Sequence, residues 1–269
     1  MSSTTKALEL LSCFSEARPE LGLSEIRRIA GRDKATTYRH LQDLEAVGFV
    51  EQNQVTKNYR LGPALLHLAQ VREASVPRKA GAEGPLAALA KATGETAHVA
   101  VLSDKTLYPL LARDSPTYAI RAIIDLATFP LHATSSGICA VAFGPEALFE
   151  QACAALEKYT EATPVTRAAL TEEVARARAT GFGHGLGTFE ADITSFAAPI
   201  FDQTGQFAAT VAVAGVASRL TPHLEALIKF ELAGASRAIT RSWGGSLPAA
   251  IEDLWSDLTP PSEIQDPTS

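Results

Sequence analysis

Two polar segments of the sequence could do chemistry, and the first is the run Thr134-Ser135-Ser136-Gly137. It comes directly before an apolar segment with a helical pattern. The N-terminus of a helix presents free N–H groups and a partial positive charge, so it favours an anion or a polar oxygen. A hydroxyl at this place could also do no more than cap the helix. The two roles are compatible, because backbone amides can bind a ligand while a side chain caps.

The second segment, residues 33–44, could read the bases of duplex DNA. Its inward positions recur with the spacing of one helix face and are Thr37, His40, Leu41 and Leu44. At 100° per residue, Arg39 and Gln42 then point outward, where both can pair with base edges in a major groove. Ala35 is small enough to let the helix approach a backbone closely. An ordinary surface helix would more often carry Glu and Lys pairs.

A DNA-reading helix also needs a preceding helix, a turn and further backbone contacts. Asp33 is a suitable N-cap for this helix, and Ser24 for the helix before it, which we expect to bury Ile26 and Ile29. The turn between these two helices contains glycine, as in a helix-turn-helix motif. After Gly48, two strand-like runs flank a polar turn and predict a wing. The predicted contacts with bases, phosphates or the sugar-phosphate backbone are Ser24, Lys34, Ala35, Thr36, Tyr38, Arg39, Gln42, Lys57 and Arg60.

Other chemistries have weaker support in the sequence. The histidines have no metal-ligand spacing, so we expect no metal and no other cofactor. The glycine run 181–187 lacks the strand and helix context of a nucleotide-binding loop, and we expect a flexible loop or a bulged strand. We predict that the protein is not an enzyme. One alternative is an enzyme that uses Cys139 or Ser135. The other is an architectural DNA-binding protein that responds to no ligand and whose second domain only assembles the oligomer.

Charge is distributed unevenly along the 269 residues. The chain has a net charge of −6, but residues 1–76 carry a net +1 and residues 77–269 a net −7. A DNA-binding surface needs a local basic patch and not a basic protein, so the first region can provide one. No run of about 18 apolar residues is present, so we expect no membrane span. The cysteines lie far apart and fit a reducing cytoplasm.

The elements that must position these groups fall into a small helical region and a larger mixed region. Pro63 and Pro77 bound a helix-compatible segment, which we interpret as a linker and a dimer contact. Beyond it, helical patterns alternate with strand patterns, one of them at 118–124, which favours an α+β domain with a mostly antiparallel sheet. The predicted domains are a winged helix-turn-helix domain over 1–62, a linker helix over 63–77, an effector-binding domain over 78–244, and an acidic, proline-rich, partly disordered tail over 245–269.

Several motifs follow one another in an order typical of one family. In the first region they are residues 6–11, 23–26, 48–50, 59–62 and the run Lys34-Ala35-Thr36-Thr37-Tyr38-Arg39-His40-Leu41. In the second they are residues 131–137, 181–183, 196–202, 214–215 and 219–221. Over about residues 5–243 the chain resembles the isocitrate lyase regulator (IclR) family of bacterial transcription factors. The resemblance implies a winged helix-turn-helix domain followed by a GAF-like effector-binding domain. The short tip of the wing departs from the pattern.

The resemblance also implies where an effector would bind. A ligand carboxylate is expected at the backbone amides of Ser135 and Ser136, near an apolar wall that includes Phe129 and Ile193. The family's hydroxyl and acidic pocket positions correspond here to Ala212, Ala214 and about Gly185. This pocket should therefore be less polar and favour an aromatic or otherwise apolar effector with one polar end over a small keto acid. The predicted effector-binding residues are Tyr118, Ile120, Phe129, Thr134, Ser135, Ser136, Ile193, Ser195, Ala212 and Ala214.

We therefore predict a ligand-responsive transcriptional regulator in the cytoplasm. Its partners would be a double-stranded DNA operator and a small organic effector, with no membrane contact. One helix-turn-helix contacts too few bases and phosphates for tight binding, so we expect a dimer or a dimer of dimers. The resemblance favours repression that the ligand relieves, with activation as the alternative.

Overall fold

The computed structural model describes residues 2–15, 17–75 and 77–261. The chain divides into two compact units, residues 1–77 and residues 78–269. Among the described residues, no helix is both long enough and apolar enough to cross a membrane.

The first unit is a group of short helices beside a small sheet. The helical segments are α1 (Ser3–Leu8), a 3-10 turn (Glu9–Cys13), α2 (Leu23–Ile29), α3 (Lys34–Ala46) and α4 (Ala64–Ser75). The strands are β1 (Glu20–Leu21), β2 (Val50–Gln52) and β3 (Tyr59–Leu61), paired antiparallel in the order β1-β3-β2. The hairpin of β2 and β3 confirms the predicted wing. The two residues of β1 are too few to show a strand pattern in the sequence.

The core of the first unit forms around α3. The predicted inward face of this helix is confirmed, because all of its members are buried: Thr37, His40, Leu41 and Leu44. They meet apolar side chains from the other elements, which include Leu10, Phe14, Leu21, Ile26, Val50 and Tyr59. Each large apolar side chain in such a core contributes about 1.5–3 kcal/mol by leaving water. The core thereby fixes which face of α3 stays outside.

The start of α2 and one of its apolar residues differ from the expectation. The helix begins at Leu23, so Ser24 lies in its first turn and is not the N-cap. Gly22 has that position, and its amide donates to Glu25 Oε2 at 3.0 Å. The start of α2 therefore has the glutamate half of a capping box, in which Glu25 accepts from the N-cap amide, and no side chain at the N-cap accepts from the first turn. Ile29 is 38% exposed, because only Ile26 of this 7-residue helix is buried in the core.

The second unit is an antiparallel sheet between two layers of helices. Its strands are β4 (Thr96–Ser103), β5 (Thr106–Arg113), β6 (Gly183–Leu186), β7 (Ile193–Phe201) and β8 (Phe207–Val216), in the order β5-β4-β8-β7-β6. Its helices are α5 (Arg78–Thr93), α6 (Ser135–Phe143), α7 (Ala147–Ala154), α8 (Arg167–Thr180), α9 (Pro222–Ser242) and α10 (Ala249–Leu254). Helices α5 and α9 pack on one face of the sheet, and α6 with α8 on the other. The predicted α+β class is confirmed.

The strand expected at 118–124 is not formed. The chain between β5 and α6 has no regular secondary structure up to residue 130. Side chains form hydrogen bonds with its backbone: Thr96 Oγ1 of β4 donates to the Ala122 carbonyl at 2.8 Å, and within the segment the Tyr118 amide donates to Ser115 Oγ at 2.9 Å. The apolar alternation that suggested a strand belongs to exposed residues, because Ile120 is 79% exposed. Local side-chain bonds thus replace a strand ladder here.

The glycine run 181–187 contains a regular edge strand, β6, and not a flexible loop. The N-terminus of α6 lies directly against this strand. A Cβ at Gly183 would come within 2.2 Å of the Ser135 carbonyl oxygen, and one at Gly185 within 3.0 Å of the Ser135 amide nitrogen. Glycine is required here because it lets a helix end and a strand backbone approach closely.

The C-terminal segment begins with a short packed helix. Ile251 and Trp255 are buried, and the Trp255 ring stacks on Phe182 with 5.2 Å between centroids. The disorder predicted from Thr259 onward falls mostly on residues 262–269, which lie outside the described residues.

Candidate functional site

The outer face of α3 is held by contacts at its start. The Thr36 amide donates to Asp33 Oδ1 at 2.8 Å, so Asp33 is the N-cap as predicted. This bond from the Thr36 backbone, with one from the Thr36 side chain, holds the pKa of Asp33 below its ordinary value. At the other face, His40 Nε2 lies 3.2 Å from Ser3 Oγ of α1. The helix is therefore fixed in rotation with its polar side outward.

The outer face of α3 presents polar and small side chains to solvent. Tyr38, Arg39 and Gln42 are exposed, together with Lys34 and Ala35, and the predicted contact residue Thr36 is half-buried. Gln42 Nε2 donates to the Tyr38 hydroxyl at 3.0 Å, so these two side chains form one unit. Within the described residues, Arg39 forms no ion pair. A free guanidinium beside an amide is the arrangement that reads guanine and adenine edges in a major groove.

Among the described residues, the wing carries one cation without a carboxylate partner, Lys57, and one that is ion-paired, Arg60. Lys57 is exposed at the turn of the hairpin, in a left-handed backbone conformation with φ of 59°. Arg60 lies between two carboxylates, with Nε 2.5 Å from Glu51 Oε1 and Nη1 3.7 Å from Glu20 Oε1. A phosphate contact by Arg60 would have to displace these carboxylates, whereas Lys57 could contact a phosphate directly.

Helix α2 adds two cations that are not among the predicted DNA contacts. Arg27 and Arg28, in the last turn of α2, are both exposed. Arg32 is instead used structurally, since it pairs with Glu9 and donates to the Lys6 carbonyl. In a helix-turn-helix the first helix crosses the sugar-phosphate backbone. Arg27 and Arg28 are therefore placed for phosphate contacts that helical periodicity alone did not indicate.

A cavity of about 280 Å³ opens on the α6 face of the sheet in the second unit. Its walls are the start of α6, the ends of β4, β6 and β7, and the irregular segment before α6. The cavity is lined by His98, Ala122, Ile123, Ile124, Asp125, Leu126, Phe129, Ala133, Thr134, Ser135, Ser136, Gly185, Thr188, Phe189, Glu190, Ile193 and Ser195. The volume is near the lower end for small-molecule sites, so it suits a compact ligand.

The predicted effector residues divide into two groups. Those that line the cavity are Phe129, Thr134, Ser135, Ser136, Ile193 and Ser195. Ala212 and Ala214 are buried on the same sheet face, as register partners of His98 and Ser195, but do not line the cavity. Tyr118 and Ile120 also lie outside it, because the segment that holds them is not a strand directed at the cavity.

The start of α6 forms the buried end of the cavity. Thr134 is the N-cap, and its Oγ1 accepts from the Gly137 amide at 2.9 Å. Ser135 and Ser136 are 1% and 0% exposed. Since Thr134 caps the third residue of the helix, the amides of the first two remain available to a ligand oxygen. Both roles considered for this turn are thus compatible in the geometry.

His98 of β4 lines the cavity and had no signal in the sequence beyond being a lone histidine. Its ring stacks on Phe129, with centroids 4.9 Å apart and planes 5° apart, and its Nε2 lies 3.2 Å from Ser136 Oγ. Complete burial lowers the pKa of His98 to about 4, so the ring is neutral near pH 7. No described residue forms a hydrogen bond with its Nδ1.

The alternative of an enzyme finds little chemical support in this cavity. Burial raises the pKa of the Cys139 thiol, which disfavours the nucleophilic thiolate. His98 touches Ser136, but no carboxylate is bonded to its Nδ1, as a serine nucleophile activated by a His-acid pair would require. Within the described residues, no group of His, Cys, Asp and Glu could hold a metal ion.

The irregular wall of the cavity is fastened to the sheet by a buried ion pair. Arg219, between β8 and α9, donates from Nε and Nη2 to the two carboxylate oxygens of Glu95, each at 2.7 Å. The Glu95 side chain is 1% exposed. Arg219 Nη1 also donates to the Ile120 carbonyl at 3.0 Å, and the guanidinium lies 4.2 Å from the Tyr118 ring centroid. Tyr118 and Ile120 therefore position the cavity wall without lining the cavity.

Comparison with known proteins identifies both units. Residues 3–54 match the "IclR helix-turn-helix domain", and residues 74–241 match "Bacterial transcriptional regulator IclR C-terminal". The chain belongs to the IclR family of bacterial transcriptional regulators. IclR regulators bind DNA and small-molecule effectors and are not enzymes, so the DNA-binding and effector-binding roles of the two units follow from membership.

Individual IclR proteins match over most of the chain. The HTH-type transcriptional regulator XynR of Escherichia coli K12 is 28% identical over 247 residues, which are 90% of this chain and 97% of XynR. The crystal structure of an IclR transcriptional regulator from Silicibacter sp. TM1040 has 36% identity and a TM-score of 0.81, covering 93% of this chain and 99% of that one. An IclR homologue from Microbacterium hydrocarbonoxydans, complexed with 4-hydroxybenzoate, has 24% identity and a TM-score of 0.74, covering 90% and 99%. The last likeness shows the fold.

Proposed function

We propose that this IclR protein represses transcription from an operator and that a small organic acid, bound in the cavity of the second unit, relieves the repression. The effector is an aromatic or otherwise apolar molecule with one polar end. The observation that carries this proposal is the cavity, which joins the buried N-terminus of α6 to apolar walls formed by Phe129, Phe189 and Ile193. The 4-hydroxybenzoate complex of the Microbacterium hydrocarbonoxydans homologue is consistent with an aromatic acid.

In this proposal the outer face of α3 reads the operator. Arg39 and Gln42 contact base edges, while Ser24, Lys34, Thr36, Tyr38 and Lys57 contact phosphates and Ala35 lets the helix approach. Arg60 contacts the backbone only after leaving Glu51. A regulator that binds bacterial chromosomal DNA acts in the cytoplasm.

The protein is proposed to act as a dimer or a dimer of dimers. Helix α4 exposes apolar side chains, with Leu66 69%, Leu68 49% and Val71 54% exposed, and a second copy would cover them. The two winged helix-turn-helix domains of a dimer then reach two operator half-sites that lie about one or more turns of the DNA helix apart. Switching these domains from mostly DNA-bound to mostly released requires the ligand to prefer the released state by roughly 5.5 kcal/mol, which two or four ligands can share.

The test is a paired measurement of ligand binding and DNA release. Calorimetry with benzoate-type acids and amides, against glyoxylate and pyruvate, should give tighter binding for the aromatic compounds, and the same compounds should release the protein from its operator in a fluorescence anisotropy assay. Tighter binding of the keto acids would overturn the proposed effector class. Operator binding unaffected by every compound that binds would overturn the regulatory role.

A matched pair of variants separates the cavity from the fold. Ile193→Trp places a large ring in the cavity and should abolish the ligand response while operator binding persists. Leu186→Trp introduces the same ring on β6, where the residue is 45% exposed and does not line the cavity, and should leave the response intact. Equal effects of the two substitutions would mean that the cavity is not the effector site.

A further inference from the structure

The two ends of the cavity in the second unit differ in charge. The buried end is made of Ser135, Ser136 and His98, which are 1%, 0% and 4% exposed. At the open end, Asp125 and Glu190 line the cavity and are both exposed to solvent. A ligand that fills the cavity therefore has one end against neutral hydrogen-bonding groups and a helix N-terminus, and the other near the exposed carboxylates of Asp125 and Glu190.

The carboxylates at the open end have no cation beside them in the cavity. No lysine or arginine is among the described residues that line it. Arg121, on the same irregular segment as Asp125, pairs with Asp114 at 2.7 Å. Arg219, which contacts that segment, is held by Glu95 at 2.7 Å. The negative charge of the open end is therefore not compensated by either arginine.

His98 indicates independently that the cavity is a ligand site and not a packing void. Its ring is buried and neutral, it lines the cavity, and none of the described residues is a hydrogen-bond partner of its Nδ1. Buried polar atoms in native proteins nearly always have a partner, and an exception in a cavity marks a place that a ligand or water completes. The cavity thus has unused hydrogen-bonding capacity near its buried end and unused negative charge at its mouth.

We propose that the effector is an elongated monocarboxylate whose far end carries a protonated amine, and that Asp125 and Glu190 select it against acids with a second carboxylate. This rests on the proposed function, in which the effector carboxylate lies at the N-terminus of α6, and it replaces the single polar end of that effector with a carboxylate at one end and a cation at the other. The far end of the ligand then meets Asp125 and Glu190, which attract a cation and repel an anion. Because these carboxylates are exposed, each changes affinity by only about twofold to fivefold.

The proposal is tested with three ligands that share a ring and one carboxylate. Calorimetry at about 20 mM salt compares 4-(aminomethyl)benzoate, 4-methylbenzoate and terephthalate. We expect the amine to bind roughly fivefold to twentyfold more tightly than the methyl compound, and terephthalate to bind most weakly. At about 500 mM salt these differences should shrink, because exposed charges are then screened.

Two variants assign the effect to the mouth of the cavity. In the double variant Asp125→Asn with Glu190→Gln, the affinities for the amine and the methyl compound should converge to within about twofold. The control Asp192→Asn removes an exposed carboxylate close in sequence that does not line the cavity, and should keep the wild-type order. Because all of these residues are at the surface, the variants are expected to fold, which thermal unfolding verifies.

The outcomes distinguish this inference from the proposed function. If 4-methylbenzoate binds and releases DNA but the amine gains nothing, or if terephthalate binds best, the charge selection is refuted and the regulatory function stands. If the order is as expected but persists in the double variant, Asp125 and Glu190 are not its cause. If none of the three ligands binds, both the effector class and the charge selection are refuted.

Discussion

Removal of the Arg219 guanidinium tests the most buried ion pair among the described residues. The Glu95 side chain is 1% exposed, and both of its carboxylate oxygens accept from Arg219 at 2.7 Å; in Arg219→Ala it would lose the one cation that pairs with it among the described residues. Leaving one member of a buried pair uncompensated costs about 3–5 kcal/mol. For a unit of this size, that lowers the Tm by about 6–20 °C. Urea unfolding, followed by circular dichroism, would measure the free energy directly.

The double variant shows whether the loss comes from an uncompensated charge. Glu95→Leu with Arg219→Met removes both charges and should recover most of the stability, since an apolar pair of similar volume is often neutral or better. The wall of the cavity would still lack the bond from Arg219 to the Ile120 carbonyl, so effector affinity should remain reduced in both variants. A loss below about 1 kcal/mol in Arg219→Ala would refute the reasoning, because the pair would then behave like an exposed one.

Three further predictions concern the core, the DNA contact and pH. Leu41→Ala should cost about 2–5 kcal/mol in urea unfolding, because Leu41 is 0% exposed, whereas Val47→Ala, at 59% exposed, should cost less than about 0.5 kcal/mol. Arg39→Ala should lose about 1–3 kcal/mol of discrimination at one base pair in a binding-site selection experiment, and an unchanged site preference would argue against insertion of α3 into the major groove. Burial lowers the pKa of His98 from 6.5 to about 4, so folding favours the neutral ring. The resulting contribution to the free energy of unfolding is fully present above pH 6.5 and is lost as the pH falls toward 4. The free energy of unfolding should fall by roughly 3 kcal/mol over this range, and the fall should be absent in His98→Gln. NMR titration of the ring would check the pKa.

The first unit could be predicted closely because the sequence patterns that indicate it each lie within a few neighbouring residues. The face of α3, its cap at Asp33 and the hairpin of the wing each follow from spacing within a few residues. The error at Ser24 arose because Gly22 and Ser24, two positions apart, are both residue types that suit an N-cap; the helix begins after Gly22, where the Gly22 amide donates to the Glu25 carboxylate.

The cavity could be predicted only in part, because its walls come from segments distant in sequence. The turn at Thr134 had a local signal, and the family resemblance brought in Phe129 and Ile193. His98 had none, since its importance depends on strand β4 lying opposite the start of α6. Tyr118 and Ile120 were expected to line the cavity and, separately, to lie on a strand that does not form. Both are exposed, and the contact of Arg219 with the Ile120 carbonyl joins residues 99 positions apart, which no local pattern indicates.

The irregular wall between β5 and α6 has a consequence for how this regulator could change its specificity. Ala122 to Leu126 line the cavity and belong to no strand ladder among the described residues, so substitutions or small changes in length there break no strand pairing. The sheet and the start of α6 would keep the proposed carboxylate site in place while this wall varies. In the evolution of new inducer responses, and in the engineering of biosensors from this scaffold, mutations that retune recognition should accumulate first between the two anchoring points at Ile120 and Phe129.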